Sequence, residues 1–208
     1  MKNIKEAIRI IGKAIIDNKS YLTDLDQAIG DGDHGINMAR GFESVISKID
    51  ALPDDADGNT ILKTVGMGLL SSVGGASGPL YGTAFLRAAA LMKDKNTVDL
   101  PLAIEMLIAA IKGIQDRGKA VQGEKTMLDV LIPVKNSLEE SFKQQLNTAE
   151  ALTKAVEIAK ASVEYTKTII ATKGRASYLE ERSIGHQDPG ATSSYIMLES
   201  LTDYIKGE

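Results

Sequence analysis

The sequence predicts an all-α fold, a single bundle of eight antiparallel helices, and three features of the chain support this prediction. Apolar residues recur at helical spacing along most of the 208 residues. Continuous β-branched runs bounded by turns, which are typical of strands, are missing. Aromatic residues number only nine (three Phe, six Tyr, no Trp). The core must therefore consist mainly of aliphatic side chains and alanine, and the length favours one domain over residues 1–208.

The first half of the chain is predicted to contain four helices. The first, over 3–18, is indicated by an apolar stripe of four residues: Ile4, Ile8, Ile11 and Ile15. A second helix is expected over 36–49. After a polar break a third begins near Ile61, and Pro79 is well placed to open a fourth because proline fits the first turn of a helix.

The second half is predicted to contain four more helices. The fifth is expected over 98–115. Residues 126–129 place a hydroxyl first and a carboxylate three residues later, which resembles a capping box and opens the sixth. Pro133 should kink that helix because its ring removes one backbone hydrogen bond. The seventh helix is expected over 148–172 and the eighth over 191–205.

One acidic, glycine-rich turn is the most unusual local feature. Asp26, Asp31 and Asp33 lie within eight positions, two glycines lie among them, and a third follows at Gly35. Glycine reaches backbone angles that other residues avoid, so this run folds tightly. In a continuous helix Asp26 and Asp31 would point about 140° apart. A turn can instead aim all three carboxylates at one point, where their repulsion favours a cation, and oxygen ligands suit Mg²⁺ or Ca²⁺.

The same turn has two other interpretations, a solvated surface loop and an EF-hand. Asp and Gly are common in ordinary solvated turns, which would make the cluster a surface loop without a ligand. An EF-hand is excluded by the spacing. Counting Asp31 as the first loop position puts the required glycine at Ile36 and the closing glutamate at Phe42.

The connections between helices divide into two groups. Helices joined by short turns run antiparallel, so alternate connections emerge at the same end of the bundle. Those at one end contain every glycine-rich or Asp-rich motif of the chain: 19–35, 74–79, 116–126 and 173–190. Those at the other end are plain polar turns: 50–58, 94–97 and 146–148. The four unusual loops are therefore expected to form a single site.

These loops have features of phosphate binding. Residues 74–78 expose backbone N–H groups and lead into a helix N-terminus, whose partial positive charge favours an anion. They do not form a Walker A loop, because no Lys-Ser/Thr pair follows the glycines. Residues 34–37 and 188–190 also open helices. Arg175 is the best candidate for a cationic phosphate partner, since guanidinium matches phosphate bidentately, although an exposed loop arginine is usually just solvated.

The charges of these loops indicate the class of ligand. Three carboxylates and a diphosphate carry about six negative charges, which two Mg²⁺ would largely offset. The sequence therefore predicts a nucleotide held through Mg²⁺. Met127 and Leu128 are candidates for covering a purine face, with ordinary core residues as the alternative. No general base is evident, and His34 is an unsupported candidate for that role.

Composition argues against several other classes of protein. The net charge of −4 and the lack of a basic run argue against nucleic acid as a partner. There is no cysteine, and hence neither a disulfide nor a thiolate metal site. The N-terminus lacks the apolar region of a signal peptide. Residues 64–86 carry no charge, but their six glycines and Pro79 indicate two helix ends around a turn. No membrane contact and a cytoplasmic location are expected.

Four regions resemble the nucleotide-binding L subunit of dihydroxyacetone kinase, and together they cover nearly the whole chain. They are DQAIGDGDHGIN at 26–37, GGASGPLYG at 74–82, GEKTMLD at 123–129, and GRASYL at 174–179 followed by GHQDPGA at 185–191. The resemblance implies an antiparallel eight-helix barrel. One departure is Glu180, where glycine is expected after Leu179, and it bears on the flexibility of that loop.

The resemblance also implies the roles of the site residues. Asp26, Asp31 and Asp33 would coordinate two Mg²⁺ ions that bridge to the nucleotide phosphates, and with Arg175 they would form the catalytic set. The implied nucleotide contacts are His34, Gly35, Ile36, Asn37, Ala76, Ser77, Gly118, Met127, Arg175, Asp188, Pro189 and Gly190.

Partners follow from the resemblance as well. The family transfers the γ-phosphate of ATP to dihydroxyacetone, which a separate K subunit binds covalently through a histidine, and this would explain the missing general base. In the form driven by the phosphoenolpyruvate phosphotransferase system, ADP stays tightly bound and a phosphohistidine of an M subunit rephosphorylates it. ATP-dependent relatives fuse K- and L-type domains, so an L part alone favours the multi-subunit form. A homodimer is left open.

Four alternatives remain at this point. The chain could be the L part of an ATP-dependent kinase with freely exchanging ATP. It could be a phosphohistidine carrier using His34 or His186, or a helical scaffold whose loops bind a partner. A nucleotide domain of the fatty-acid-kinase type is disfavoured, because related domains tend to carry Thr where this chain has His34.

Overall fold

The computed structural model describes residues 3–93, 95 and 97–207, and these residues contain helices but no strand. Nine α-helices follow one another along this part of the chain: α1 Ile4–Asp17, α2 Lys19–Ile29, α3 His34–Asp50, α4 Gly58–Ser72, α5 Ser77–Ala90, α6 Leu100–Gly118, α7 Leu128–Lys143, α8 Thr148–Tyr165 and α9 Pro189–Lys206. Two 3-10 helices, Thr166–Thr168 and Arg175–Ser183, lie between α8 and α9. Asp94 and Asn96, in the polar turn expected at 94–97, lie outside the described residues.

Eight of the helices form a closed ring. α1 packs against α3, each helix from α3 to α8 packs against the next, and α9 returns to α1. Neighbours in the ring run antiparallel, so α3, α5, α7 and α9 begin at one end and α1, α4, α6 and α8 at the other. The longer connections are the segment with α2, between α1 and α3, and the segment with the two 3-10 helices, between α8 and α9. The all-α, eight-helix barrel predicted from the sequence is confirmed.

A ninth helix, α2, occupies most of the segment 19–35 that was predicted to be a connection, and that prediction was wrong. The chain turns at Asn18, whose side-chain amide and backbone N–H both donate to the carbonyl of Ala14. Leu22 and Ile29 are then fully buried on one face of a new helix. The polar residues around them hid this short amphipathic pattern. The consequence is that Asp26 belongs to a helix, and only residues 30–33 form the turn.

The seventh predicted helix ends earlier than the sequence indicated. α8 stops at Tyr165, a 3-10 turn follows, and Ile169 is extended with φ −113° and ψ 153°. The carbonyls of Thr166 and Ile169, which would have continued the helical ladder, instead accept hydrogen bonds from the Lys125 ammonium at 2.7 and 3.3 Å. A contact from a distant loop therefore decides where this helix ends.

The segment predicted to cap the sixth helix adopts a related but shifted arrangement. α7 begins at Leu128, while the carboxylate of Asp129 accepts from the N–H of Thr126 at 2.7 Å. The hydroxyl of Thr126 accepts from the N–H of Leu128 at 3.2 Å, one residue short of a true capping box. Pro133 lies inside α7. The kink expected there stays a prediction.

The interior is aliphatic, as the composition predicts. The main core includes Ile15, Leu22, Phe42 and Leu69, all fully buried. A second cluster lies where α7, α8 and α9 meet and is rich in alanine, which lets these helices approach closely. Among the described helices, none combines the length and the apolar character needed to cross a bilayer.

Candidate functional site

The four loops predicted to share one end of the bundle do line a single open cavity of about 550 Å³. The residues around it come from the segments 26–37, 74–80, 114–127, 173–176 and 188–190. The helices that begin at this mouth are α3, α5, α7 and α9. The sequence-based prediction of one composite site is confirmed as a matter of geometry.

Three carboxylates converge on one side of this cavity. Asp26, Asp31 and Asp33 each offer an oxygen, and these oxygens lie within 4.8 Å of one another. One oxygen of Asp26 accepts from the backbone N–H groups of Asp33 and His34 at 2.8 and 3.1 Å. Gly30 is required for the close turn, because a Cβ there would lie 2.2 Å from the other Asp26 oxygen.

The position of these carboxylates is electrostatically unfavourable without a cation. Asp26 lies in the last turn of α2, the negative end of that helix dipole, and the other two carboxylates add to the same field. All three groups are hard oxygen ligands, which fit Mg²⁺. Part of this charge is offset by Arg175, whose Nε lies 2.9 Å from an Asp31 oxygen. The Arg175 side chain is 68% exposed, so this ion pair itself contributes little stability.

Among the helices that begin at the cavity, α3 and α5 receive no capping hydrogen bond from the side chain of their N-cap residue. α3 starts after Asp33 and α5 after Ala76. At α3 the first N–H, that of His34, is taken by Asp26, and the N–H groups that follow it lack such a partner. The first N–H groups of a helix have no intrahelical partner, so uncapped starts leave donors and a partial positive charge facing the cavity. Such ends are suited to phosphate oxygens.

Ten of the twelve residues implied as nucleotide contacts line the cavity. They are His34, Asn37, Ala76, Ser77, Gly118, Met127, Arg175, Asp188, Pro189 and Gly190. Gly35 and Ile36 do not line it. Gly35 packs on α2, where a Cβ would lie 2.1 Å from the Lys19 carbonyl oxygen, and the Ile36 side chain is exposed. For these two, a contact through the backbone N–H groups stays a prediction.

Met127 and Leu128 separate in the structure. Met127 lines the cavity and is nearly fully buried, whereas Leu128 is completely buried in the main core. The suggestion that Leu128 covers a purine face was wrong for a simple geometric reason. Successive residues of a helix point about 100° apart, so only one of the two can face the mouth.

His34, the first residue of α3, bridges the starts of α5 and α9. Its Nδ1 lies 3.0 Å from the Ser77 hydroxyl and its Nε2 lies 3.0 Å from the Ser193 hydroxyl. Burial lowers the pKa of His34 to about 4, so the imidazole is neutral at physiological pH. With both ring nitrogens engaged, His34 is a poor general base and a poor phosphate carrier. His186 is exposed and lies away from the cavity.

A buried hydrogen-bond network continues from His34 beneath the site. The Tyr81 hydroxyl lies 2.8 Å from the hydroxyls of both Ser193 and Ser194, and it donates to the Gly190 carbonyl at 2.9 Å. Burial raises the pKa of Tyr81 to about 12. This network fixes the start of α9 relative to α3 and α5. Sequence reasoning missed Tyr81 because its partners are more than 100 positions away.

Two further buried ionisable groups lie at the back of the cavity. Asp188 caps α9 by accepting from the Ala191 N–H at 2.6 Å, and burial raises the pKa of this carboxyl to about 7. Lys125, 1% exposed, lines the cavity close to it, and burial lowers the pKa of its ammonium. Lys125 was not predicted, although it lies within the motif at 123–129. Lys173 and Arg117 also line the cavity and add positive charge that was not anticipated.

The fold and the site together define a class of protein: a closed antiparallel helical barrel with a carboxylate cluster and uncapped helix N-termini at one mouth. The chain belongs to the DAK2 domain family, whose model matches residues 28–203. Its architecture is also that of a solved dihydroxyacetone kinase from C. freundii in complex with AMP-PNP and Mg²⁺, with a TM-score of 0.75 and 25% sequence identity. The match covers 98% of this chain and 34% of that one, so this chain spans about a third of that longer kinase.

Similar proteins of comparable length bear the names of kinase subunits. The PEP-dependent dihydroxyacetone kinase, ADP-binding subunit DhaL, of Escherichia coli (strain K12) is 52% identical over 181 residues, which cover 87% of this chain and 86% of that protein. The PEP-dependent dihydroxyacetone kinase 1, ADP-binding subunit DhaL, of Listeria innocua serovar 6a is 48% identical over 190 residues, covering 91% and 89%.

Proposed function

We propose that this chain is the ADP-binding phosphotransfer subunit of a dihydroxyacetone kinase. The observation that carries the proposal is the single cavity in which three carboxylates lie beside the starts of α3 and α5, whose N-cap residues provide no side-chain cap. A nucleoside diphosphate joined to the acids through divalent cations satisfies both halves of this site. The similarity to ADP-binding kinase subunits supports the same assignment.

In this proposal the residues of the cavity divide into three roles. Asp26, Asp31 and Asp33 hold two Mg²⁺ ions. When bound, the metal neutralises phosphate oxygens on which charge develops during phosphoryl transfer. The first turns of α3 and α5 bind phosphate oxygens, and Arg175 adds a charge-assisted hydrogen bond. Met127 lies against the flat face of the purine, and Gly118 lets the nucleotide approach the end of α6.

The acceptor and the phosphoryl donor are proposed to lie on other proteins. His34 has both ring nitrogens engaged, and it is the one histidine among the residues that line the cavity. We therefore assign deprotonation of the acceptor to a dihydroxyacetone-binding K subunit, and recharging of ADP to a phosphohistidine on an M subunit. ADP would then act as a tightly bound cofactor, and the assembly would be cytoplasmic.

Binding of Mg²⁺ and ADP tests the proposal directly. Nucleotide-stripped protein is titrated with ADP by calorimetry, with and without Mg²⁺. We expect ADP to bind only when Mg²⁺ is present. Failure of ADP to bind in the presence of Mg²⁺ would refute the proposal. Protein purified without stripping should carry ADP that a phosphoenolpyruvate-fed phosphotransferase system can convert to ATP. If the nucleotide instead exchanges freely and only added ATP supports transfer, the chain is an ATP-dependent kinase module.

A further inference from the structure

The Lys125 ammonium is hydrogen-bonded to three backbone carbonyls. Its Nζ donates to Ser183 at 2.6 Å, to Thr166 at 2.7 Å and to Ile169 at 3.3 Å. A buried lysine is ordinarily paired with a carboxylate, because an unpaired charge away from water is costly. Here the hydrogen bonds go to carbonyls instead, including that of Thr166 at the negative end of α8. The Asp188 carboxylate adds a favourable charge interaction without a hydrogen bond to the ammonium.

The three carbonyls lie on both sides of one segment of chain. Thr166 and Ile169 precede residues 170–182, and Ser183 follows them. This stretch, which we call the Arg175 segment, contains Arg175 and leaves and re-enters the protein at the same ammonium. Lys125 therefore closes the base of a loop whose other end reaches the carboxylate cluster through the Arg175–Asp31 ion pair.

Other contacts hold the two ends of the Arg175 segment close to each other and to the loop that contains Lys125. The Ser183 hydroxyl accepts from the Ala171 N–H at 2.9 Å and donates to the Glu180 carbonyl at 2.6 Å. The residue before Lys125 contributes as well, because the Glu124 carboxylate lies 3.7 Å from the Lys173 ammonium. The loop 123–126 is thus the platform on which the Arg175 segment rests.

We propose that Lys125 is a positioning residue that acts through Arg175: by joining the two ends of the Arg175 segment, its ammonium holds the guanidinium at the mouth of the cavity. Lys125 itself need not touch the nucleotide. The inference rests on the proposed function only in taking the phosphates of Mg²⁺-bound ADP as the partner of Arg175. Without its ammonium, three carbonyls would converge with no donor, and the base of the segment would open.

A double-mutant cycle measures whether Lys125 acts through Arg175. The affinity for ADP at saturating Mg²⁺ is determined by calorimetry for the full chain, Lys125→Met, Arg175→Ala and the double variant. Loss of a charge-assisted hydrogen bond should raise the Kd about tenfold or more in Arg175→Ala. Lys125→Met should raise it by a similar factor, and the double variant should lie within about twofold of Arg175→Ala.

The opposite pattern overturns the inference. If Lys125→Met raises the Kd by the same factor whether or not Arg175 is present, or leaves it unchanged, Lys125 does not act through Arg175. Lys167→Met is the matched control, because it removes a lysine beside Thr166 that pairs only with surface Glu164. It should leave the Kd within about twofold of the unsubstituted protein.

Hydrogen exchange tests the same idea without nucleotide. In Lys125→Met, amides of residues 170–182 should exchange faster while those of α4 and α5 are unchanged, and unaltered exchange in the segment would contradict the inference. If the protein fails to bind ADP, the proposed function fails, yet this measurement still decides the role of Lys125. Should Lys125→Met not fold, Ser183→Ala loosens the same segment and should show the same dependence on Arg175 in the cycle.

Discussion

The two ends of the barrel differ in how the N-termini of their helices are capped. α1, α4, α6 and α8 begin at the end away from the cavity, and all four are capped by a side chain: Asn3, Asp57, Asp99 and Asn147. Of the four helices that begin at the cavity, only α9 has a side-chain cap on its N-cap residue, Asp188. One end uses its caps for stability, whereas the other leaves donors and positive dipole ends available to an anion.

Charge follows the same division. At the capped end, Lys5 lies against the carbonyls of Leu52 and Pro53 and near Asp54, so opposite partial and full charges meet. At the cavity end, three carboxylates converge and an exposed arginine is the partner of one of them. Unfavourable electrostatics concentrated at one end of an otherwise well-satisfied fold is typical of a functional site.

The largest effect is expected from the carboxylate cluster. Asp31→Ala should abolish Mg²⁺-dependent ADP binding and phosphoryl transfer, because the two remaining carboxylates, Asp26 and Asp33, do not suffice to hold the metal. Helical circular dichroism and the thermal midpoint should persist, since a repulsive charge is being removed. Asp24→Ala, on the exposed face of the neighbouring helix α2, is the control and should bind normally. Full activity of Asp31→Ala would overturn the metal assignment.

The next effect concerns the uncapped start of α5. Ala76→Asp places a carboxylate where a phosphate is proposed to lie, and we expect the Kd for Mg²⁺-bound ADP to rise at least about tenfold because like charges repel. Ala76→Ser, which is similar in size but uncharged, should change the Kd much less. Equal affinity in all three proteins would show that this helix end does not bind the phosphate.

A smaller effect is expected at the capped end. Asn147 and Glu150 form a reciprocal capping box at the start of α8. Asn147→Ala should lower the free energy of unfolding by about 1 kcal/mol in urea titrations and leave ADP binding unchanged. Thr148→Ala next to it keeps the cap and serves as the control. A change in nucleotide affinity in Asn147→Ala would break the division between the two ends.

The smallest effect is expected at Glu180, a strained position at the cavity end. Its φ of 52° and ψ of −126° lie in a region that favours glycine, which accounts for the glycine expected there from the family resemblance. Glu180→Gly should raise the free energy of unfolding, by no more than about 1 kcal/mol because glycine also loses more chain entropy on folding. Glu181→Gly, with its ordinary backbone, should be destabilising instead. A loss of stability in Glu180→Gly would show that the strain is offset by other contacts.

Local patterns predicted most of the fold. The apolar stripe of α1 and the proline and glycine breaks placed eight of the nine described helices, and antiparallel order placed the four loops at one mouth. The apolar spacing did not reveal α2, because its two buried residues, Leu22 and Ile29, are separated by mostly polar positions. It also failed at the end of α8, because Lys125, some 40 positions earlier, takes the carbonyls that would have continued the helix.

The sequence by itself determined the ring of helices and the chemistry of its mouth, because spacing, glycine and carboxylate content act over a few residues. Only the tertiary structure decided which groups are free to act. His34 is engaged by Ser77 and Ser193, Leu128 turns into the core, and Lys125 joins the ends of the Arg175 segment. These outcomes depend on contacts between residues far apart in the chain, and a reading of local sequence contains no information about such distances.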